Sequence, residues 1–130
     1  MTQEKKQLLL NDLCARLPYG FTVRRYSDNR DITFGENELD EFSHFLEYSE
    51  GKEFKPYLRP MSSMTEEEKK VVCSMNMISD TELNDRLNYQ RMYLQNYTIE
   101  TFDYFNEHHL DYRGLIPMGL ALEATEGMYE

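Results

Sequence analysis

Apolar residues recur every three or four positions at the start of the chain, which is the spacing of an amphipathic helix. The pattern predicts a helix over residues 3–17, with Thr2 as its N-cap. Pro18 and Gly20 end the pattern. The residues expected on the buried side of this helix are Leu9, Leu10, Leu13, Cys14 and Leu17.

The next two segments alternate between apolar and polar residues, as half-buried strands do. They span residues 21–26 and 31–34, with turn-forming residues between them. The pair predicts a β-hairpin near residues 21–34. The pattern over residues 38–49 has helical spacing, but a third strand remains an alternative there.

The middle of the chain combines an extended segment with a clear helix start. Residues 55–64 should be mostly extended, because each of the two prolines in this segment disfavours helix in the residue before it. Thr65 and Glu68 then have the spacing of a capping box, in which each side chain bonds the backbone amide of the other residue. This spacing predicts a helix from Thr65 to about Met77.

Two more helices and an apolar tail complete the predicted fold. Ser79 or Asp80 caps the first helix, and the second runs from Thr98 to about His109. Together the elements predict one α+β domain over residues 1–130: a small antiparallel sheet packed by about four helices, with an irregular C-terminal tail. We expect Ile99, Phe102, Phe105 and His109 on one face of the last helix, and Leu115, Ile116, Leu120 and Leu122 in the core.

The charge of the chain limits its partners. The formal net charge is −10, and residues 98–130 carry seven acids against a single base, Arg113. Such a field repels phosphate backbones, so we predict no specific binding to duplex DNA. No stretch approaches the ~20 apolar residues that span a bilayer. Cys14 and Cys73 are predicted to be reduced, buried thiols, which favours a cytoplasmic protein.

The strongest candidates for chemistry are His108, His109 and Asp111, which could act in general acid–base catalysis. Adjacent helical residues point about 100° apart, so the two histidines are a poor metal pair, and zinc needs three or four ligands. We therefore predict no bound metal and no cofactor. The structural alternative is that protonated His109 closes the helix end, where the helix dipole favours a cation.

Tyr112 and Arg113 form a second candidate site. An arginine in acidic surroundings can hold an anionic ligand through its forked guanidinium group. The alternative is an internal ion pair between Arg113 and Asp111 or Glu107, which would fix the tail in place.

Two surfaces suggest nucleic-acid roles. Tyr19, Arg24, Arg25 and Tyr26 interleave aromatic and basic groups on the first strand, as in proteins that stack bases and neutralise phosphates. A solvent-facing strand edge protected by charge is the alternative. The acidic segment 28–53 carries nine acids and two bases, so it is either a solvated face or a mimic of a nucleic-acid backbone.

Three stretches together resemble a known group of proteins. They are DLCARLPYG at 12–20, KPYLRPMSSMTEEEKK at 55–70 and HHLDYRGLIPMGLALEATEGMY at 108–129. They are similar to a family of small acidic proteins without known function from gut Bacteroides-type bacteria and their phages and mobile elements. The family usually shows a charged pair where this chain has Pro117 and Met118. The resemblance implies a phage or mobile-element setting and carries no catalytic residue.

The function that these patterns favour is a small non-catalytic binding or regulatory protein of the cytoplasm, acting through a protein partner. A small hydrolase or metal-dependent enzyme that uses His108, His109 and Asp111 is the first alternative. An acidic nucleic-acid mimic is the second, and a protein that binds nucleic acid through Arg24 and Arg25 is the third. A concave cavity that holds both histidines would favour the enzyme, and a flat acidic and aromatic face would favour the binding protein.

Overall fold

A computed structural model of the chain describes residues 2–26, 29–35, 54–88 and 97–129. Within these ranges it contains four α-helices and a four-stranded sheet, so the predicted α+β class is confirmed. Residues 38–49 lie outside the described residues. The helices are α1 (Gln3–Arg16), α2 (Glu66–Asn76), α3 (Asp80–Asn88) and α4 (Ile99–Glu107), and the strands are β1 (Phe21–Arg25), β2 (Arg30–Phe34), β3 (Phe54–Leu58) and β4 (Leu122–Glu123).

The sheet has the strand order β2-β1-β3-β4. The predicted hairpin is confirmed, because β1 and β2 pair antiparallel with Phe21 opposite Phe34. β3 is antiparallel to β1, whereas β4 pairs parallel to β3 with Tyr57 opposite Leu122. The sheet is therefore mixed and not wholly antiparallel as expected, because the tail returns alongside β3 in the same direction.

Helix α1 begins where the sequence predicts it, since the Thr2 hydroxyl accepts a hydrogen bond from the backbone N–H of Lys5. Its buried face differs from the predicted one. Cys14 is exposed, because the helix turns an acid and an arginine toward the interior in its place. The buried residues of α1 are Leu9, Asp12, Leu13 and Arg16.

The extended segment that starts with β3 continues to Pro60 and then tightens into a 3-10 turn at Met61–Ser63. The capping box is confirmed: Glu68 N–H donates to the Thr65 hydroxyl at 3.1 Å, and Thr65 N–H donates to Glu68 Oε1 at 2.9 Å. Helix α2 ends at Asn76, close to the predicted end, and the C-cap residue Met77 adopts a left-handed conformation.

Helix α3 is capped by Ser79, whose hydroxyl accepts from Glu82 N–H. Helix α4 is capped by Thr98 and ends at Glu107, two residues before the predicted end. Ile99, predicted on the same face as Phe102 and Phe105, is 81% exposed in the first turn, where Thr101 is the buried residue and bonds Asn76 of α2.

The interior has two apolar clusters. The first joins α1, the sheet and the tail, and the second joins α2, α3 and α4. The tail is docked as predicted at Leu115 and Leu120, whereas Ile116 and Leu122 are half-buried. The first cluster contains Leu9, Leu13, Leu17, Phe21, Val23, Phe34, Phe54, Leu58, Leu115, Leu120 and Ala121, and the second contains Met61, Met64, Val72, Cys73, Leu83, Tyr97, Phe105, Leu110 and Tyr112.

Candidate functional site

Helices α2 and α4 lie side by side and antiparallel. The C-terminal end of α2 contacts the N-terminal end of α4, and the N-terminal end of α2 lies beside the C-terminal end of α4. At one end, Asn76 of α2 bonds Thr98 N–H at 2.9 Å and the Thr101 hydroxyl at 2.8 Å. At the other end, Glu68 of α2 lies beside His108, which follows α4. The helix pair therefore has two distinct ends, which we call the Glu68 end and the Asn76 end.

A cavity of about 460 Å³ opens at the Glu68 end. This volume is in the range of small-ligand sites. The start of α2 and the chain segment that follows β4 both contribute to its wall. The lining residues are Arg59, Pro60, Ser63, Thr65, Glu68, His108, Ala124, Thr125, Glu126, Gly127 and Tyr129.

Arg59 and Glu68 form a bidentate ion pair in the wall of this cavity. The two guanidinium nitrogens of Arg59 donate to the two Glu68 oxygens at 2.9 and 2.7 Å. They also donate to the backbone carbonyls of His108 and Ser63. The hydrogen bond from Arg59, with Thr65 N–H in support, lowers the pKa of Glu68 to about 2. The pair therefore joins β3, α2 and the end of α4.

His108 is the sequence-predicted candidate that reaches the cavity. Its Nδ1 lies 3.4 Å from Glu68 Oε2, and its ring centroid is 4.2 Å from that of Tyr104. A carboxylate beside one imidazole nitrogen orients the ring, as in many general-base pairs. The Glu68 carboxylate already accepts three stronger hydrogen bonds, so it serves mainly as an anchor for Arg59 and Thr65.

His109 does not line the cavity, and the prediction that it closes the helix as a cation is wrong. Its backbone is left-handed, with φ of 61°, and its ring stacks on Tyr129 at 3.6 Å. Burial, together with the nearby Arg16 charge, lowers the pKa of His109 to about 4, so the ring is neutral at pH 7. Among the described residues, its buried Nδ1 has no hydrogen-bond partner.

Asp111 is also held away from the cavity. The two oxygens of its buried carboxylate accept from Leu115 N–H at 2.8 Å and Ile116 N–H at 2.9 Å. Burial raises the pKa of Asp111, and these two backbone hydrogen bonds oppose the rise. The carboxylate therefore shapes the turn that begins the tail. The structure does not bring His108, His109 and Asp111 together at one reactive point.

Arg113 pairs with neither of its expected partners, Asp111 and Glu107, in the contacts that the structure shows. Its Nη1 lies 2.7 Å from Asp12 Oδ1 on α1. The guanidinium carbon is 4.7 Å from the centroid of the Tyr112 ring, and the Tyr112 hydroxyl donates to Asn106 Oδ1 at 3.0 Å. Tyr112 and Arg113, predicted as a binding pair, thus contact the protein interior.

The remaining sequence candidates are placed as follows. Tyr19 and Tyr26 are exposed, and Arg24 donates to the Asn29 carbonyl and lies 3.7 Å from Asp31 on the neighbouring strand. Most of the acidic segment 28–53 lies outside the described residues. Within the described ranges, no group of three or more metal-ligating side chains could hold an ion, and no helix is long and apolar enough to cross a membrane.

Sequence reasoning missed the residues that build the site. The sequence pattern identifies Glu68 only as a cap, and it does not single out Arg59 or Tyr129. The sequence does contain one signal for the Asp12 carboxylate that pairs with Arg113 of the tail. Asp12 and Arg16 are four residues apart on α1, which is the spacing of a helical ion pair. Arg59 carried no comparable signal, because its partner lies beyond Pro60 and a turn.

Comparisons with protein-family models, with curated proteins and with solved structures find no match to this chain. The resemblance to small acidic phage-associated proteins therefore stays a prediction.

Proposed function

We propose that this chain is a small non-catalytic binding or regulatory protein that acts through a protein partner. The observation that carries the proposal is the separate use of the three candidate catalytic residues. His109 stacks on Tyr129, Asp111 holds the backbone of the tail, and His108 alone reaches the cavity. Acid–base catalysis needs its groups within hydrogen-bond reach of one reacting atom, and this arrangement separates them.

The charges in the cavity wall support the same proposal. Arg59 and Glu68 satisfy each other, and both also bond the neighbouring backbone. A bidentate pair of this kind fixes geometry and leaves little of its charge for a substrate. Both side chains therefore hold the fold together at the Glu68 end, which favours a non-catalytic protein.

Two further features support a cytoplasmic protein in this role. Both cysteines are free thiols, and the Cys73 thiol lies 3.6 Å from Asp80 Oδ1. Free thiols are typical of reducing compartments. The predicted phage or mobile-element setting, which rests on the sequence resemblance, is one in which small regulatory proteins meet host proteins.

The test is to purify the tagged chain from the cells that make it, identify what co-purifies and reconstitute the pair from purified components. The proposal expects a stoichiometric complex whose affinity His108→Ala leaves unchanged. His108 is partly exposed, so this substitution is compatible with the fold. The enzyme alternative instead expects turnover of a compound from a hydrolase substrate panel, with that turnover lost in His108→Ala. The proposal is overturned if this turnover is found and if size-exclusion chromatography of native extract shows the chain only as a free monomer.

A further inference from the structure

The Asn76 end of the helix pair carries an unusual residue. Met77 follows the last turn of α2 with φ of 54° and ψ of 46°, and it is 93% exposed. Glycine or asparagine normally occupies this left-handed position, because a side chain with a Cβ is strained there. Water also disfavours an exposed thioether chain. Backbone preference and solvation therefore both disfavour methionine at this position.

A second exposed apolar residue lies at the same end. Ile99, in the first turn of α4, is 81% exposed. Thr98 N–H donates to Asn76 Oδ1 and the Asn76 amide donates to the Thr101 hydroxyl, so this turn lies against the end of α2. Met77 is the chain neighbour of Asn76, and Ile99 is the chain neighbour of Thr98. We call these two residues the Met77–Ile99 patch.

The surroundings of the Met77–Ile99 patch are acidic. Residues 77–85 and 98–104 contain five acids and no lysine or arginine, and all five acids are exposed. A second copy that presented this same patch would bring the same charges and be repelled. A basic surface would be attracted, because complementary charge around an apolar contact favours encounter and fixes orientation. The acids are Asp80, Glu82, Asp85, Glu100 and Asp103.

We propose that the Met77–Ile99 patch is the docking surface for the protein partner, and that this partner presents an apolar side chain flanked by lysine or arginine. The inference rests on the proposed function and names the chemistry of its partner. Methionine suits the role because its unbranched chain adapts to irregular surfaces. The Met77 side chain is exposed at the end of α2, and a glycine at this left-handed position would have no side chain to contact a partner.

The probe is a library of random peptides displayed on phage and selected on the immobilised chain. The expected enriched peptides carry an apolar residue between basic residues. Their affinity should fall about tenfold for Met77→Gly and for Ile99→Thr, because each variant removes an apolar contact. Tyr19→Ser is the matched control, since Tyr19 is an exposed aromatic residue outside the patch and its loss should leave affinity unchanged.

Met77→Gly also separates docking from folding. Glycine relieves the left-handed strain, so the urea midpoint should stay the same or rise while peptide affinity falls. Enrichment of acidic peptides, equal binding to wild type and both patch variants, or self-association lost in Met77→Gly would each overturn the patch. If a reconstituted native partner binds Met77→Gly and Ile99→Thr as tightly as wild type, the patch is wrong and the proposed function stands. Hydrolytic turnover that depends on His108 would instead refute the proposed function.

Discussion

Arg113 Nη1 lies 2.7 Å from Asp12 Oδ1, so an ion pair joins the tail to α1 across 101 positions of the chain. The same Asp12 carboxylate accepts two hydrogen bonds from Arg16, at 2.8 and 3.1 Å. Asp12 and Arg16 are both fully buried, and Arg16 also donates to the Leu110 carbonyl. One buried carboxylate therefore pairs with two guanidinium groups that lie far apart in the sequence.

Replacing this carboxylate should be among the most damaging point changes in the chain. Asp12→Asn removes the carboxylate that accepts both hydrogen bonds from the buried Arg16, and we expect a loss of about 3–5 kcal/mol in the free energy of unfolding. Urea denaturation measures it. The exposed neighbour change Asn11→Ala should alter stability by less than about 0.5 kcal/mol. Arg113→Gln should cost less than Asp12→Asn, because Arg16 still pairs with Asp12. An Asp12→Asn midpoint equal to that of Asn11→Ala would contradict the assignment.

The capping box gives a smaller and more local prediction. Thr65→Ala removes the hydroxyl that accepts from Glu68 N–H, and it should lower the free energy of unfolding by about 0.5–2 kcal/mol. Thr81→Ala is the control, because Thr81 is an exposed residue within α3. The urea midpoints of the two variants decide the matter. Equal midpoints would show that the Thr65 cap does not support α2.

Features that depend on near neighbours in sequence were predictable. The Thr2 cap, the Thr65 and Glu68 capping box and the β1–β2 hairpin each involve residues joined by a few positions of chain. Their hydrogen bonds form wherever the local backbone is helical or turned, so the residue types suffice to identify them. The docking of Leu115 and Leu120 was also predictable, because large apolar side chains leave water in almost any fold.

Features that depend on distant partners were not predictable from the pattern. Arg113 pairs with Asp12, and not with the acids beside it, because the fold turns α1 toward the tail. His109 was expected to close the helix end, but its backbone is left-handed and its ring stacks on Tyr129. The cavity arises from separate segments of the chain, so its lining has no signature in sequence.

Two groups with lowered pKa values, His109 and Glu68, predict that stability falls with acid in two separate pH ranges, which we call the two acid limbs. His109 has its pKa lowered from 6.5 to about 4, so the unfolded chain takes up a proton before the native one does. The contribution of His109 to the free energy of unfolding is therefore fully present above pH 6.5 and is lost as pH falls toward about 4. His109→Asn should flatten this limb, because asparagine does not titrate and tolerates a left-handed backbone. His108→Asn is the control, since it should leave this limb in place.

Glu68 produces the second limb at lower pH. Its pKa falls from an ordinary 4.5 to about 2, so the native state holds the carboxylate charged where the unfolded state protonates it. This contribution is present above pH 4.5 and is lost as pH falls through about 2. Urea midpoints measured across this range should show a shallower slope in Glu68→Gln than in the exposed neighbour change Glu67→Gln. Equal slopes would show that Glu68 is not anchored by Arg59.

Duplex DNA should not bind this chain at physiological ionic strength. The net charge of −10 opposes phosphate contacts, and Arg24 is placed beside Asp31 on the next strand. Fluorescence anisotropy with a labelled random duplex should show no saturable binding. Tight, salt-sensitive binding that is lost when Arg24 and Arg25 are changed to alanine would reverse this conclusion.

The tail should be essential to folding. Leu115 of the tail has no exposed surface, and its backbone N–H donates to the Asp111 carboxylate. Farther along, β4 pairs with β3, and the Tyr129 hydroxyl donates to the Tyr57 carbonyl at 2.7 Å. Removing all residues after Tyr112 therefore exposes the first apolar cluster and leaves the buried Asp12–Arg16 pair without Arg113.

We expect the chain truncated after Tyr112 to be unfolded or aggregated, because burying each large apolar side chain is worth roughly 1.5–3 kcal/mol and a small domain has about 5–15 kcal/mol in total. Circular dichroism during heating measures this directly. Leu115→Ala is the graded version and should cost about 2–5 kcal/mol, whereas Ile116→Ala, at a half-buried position, should cost less. A cooperative melt of the truncated chain near the full-length temperature, with Leu115→Ala close to neutral, would mean that the tail is peripheral to the core.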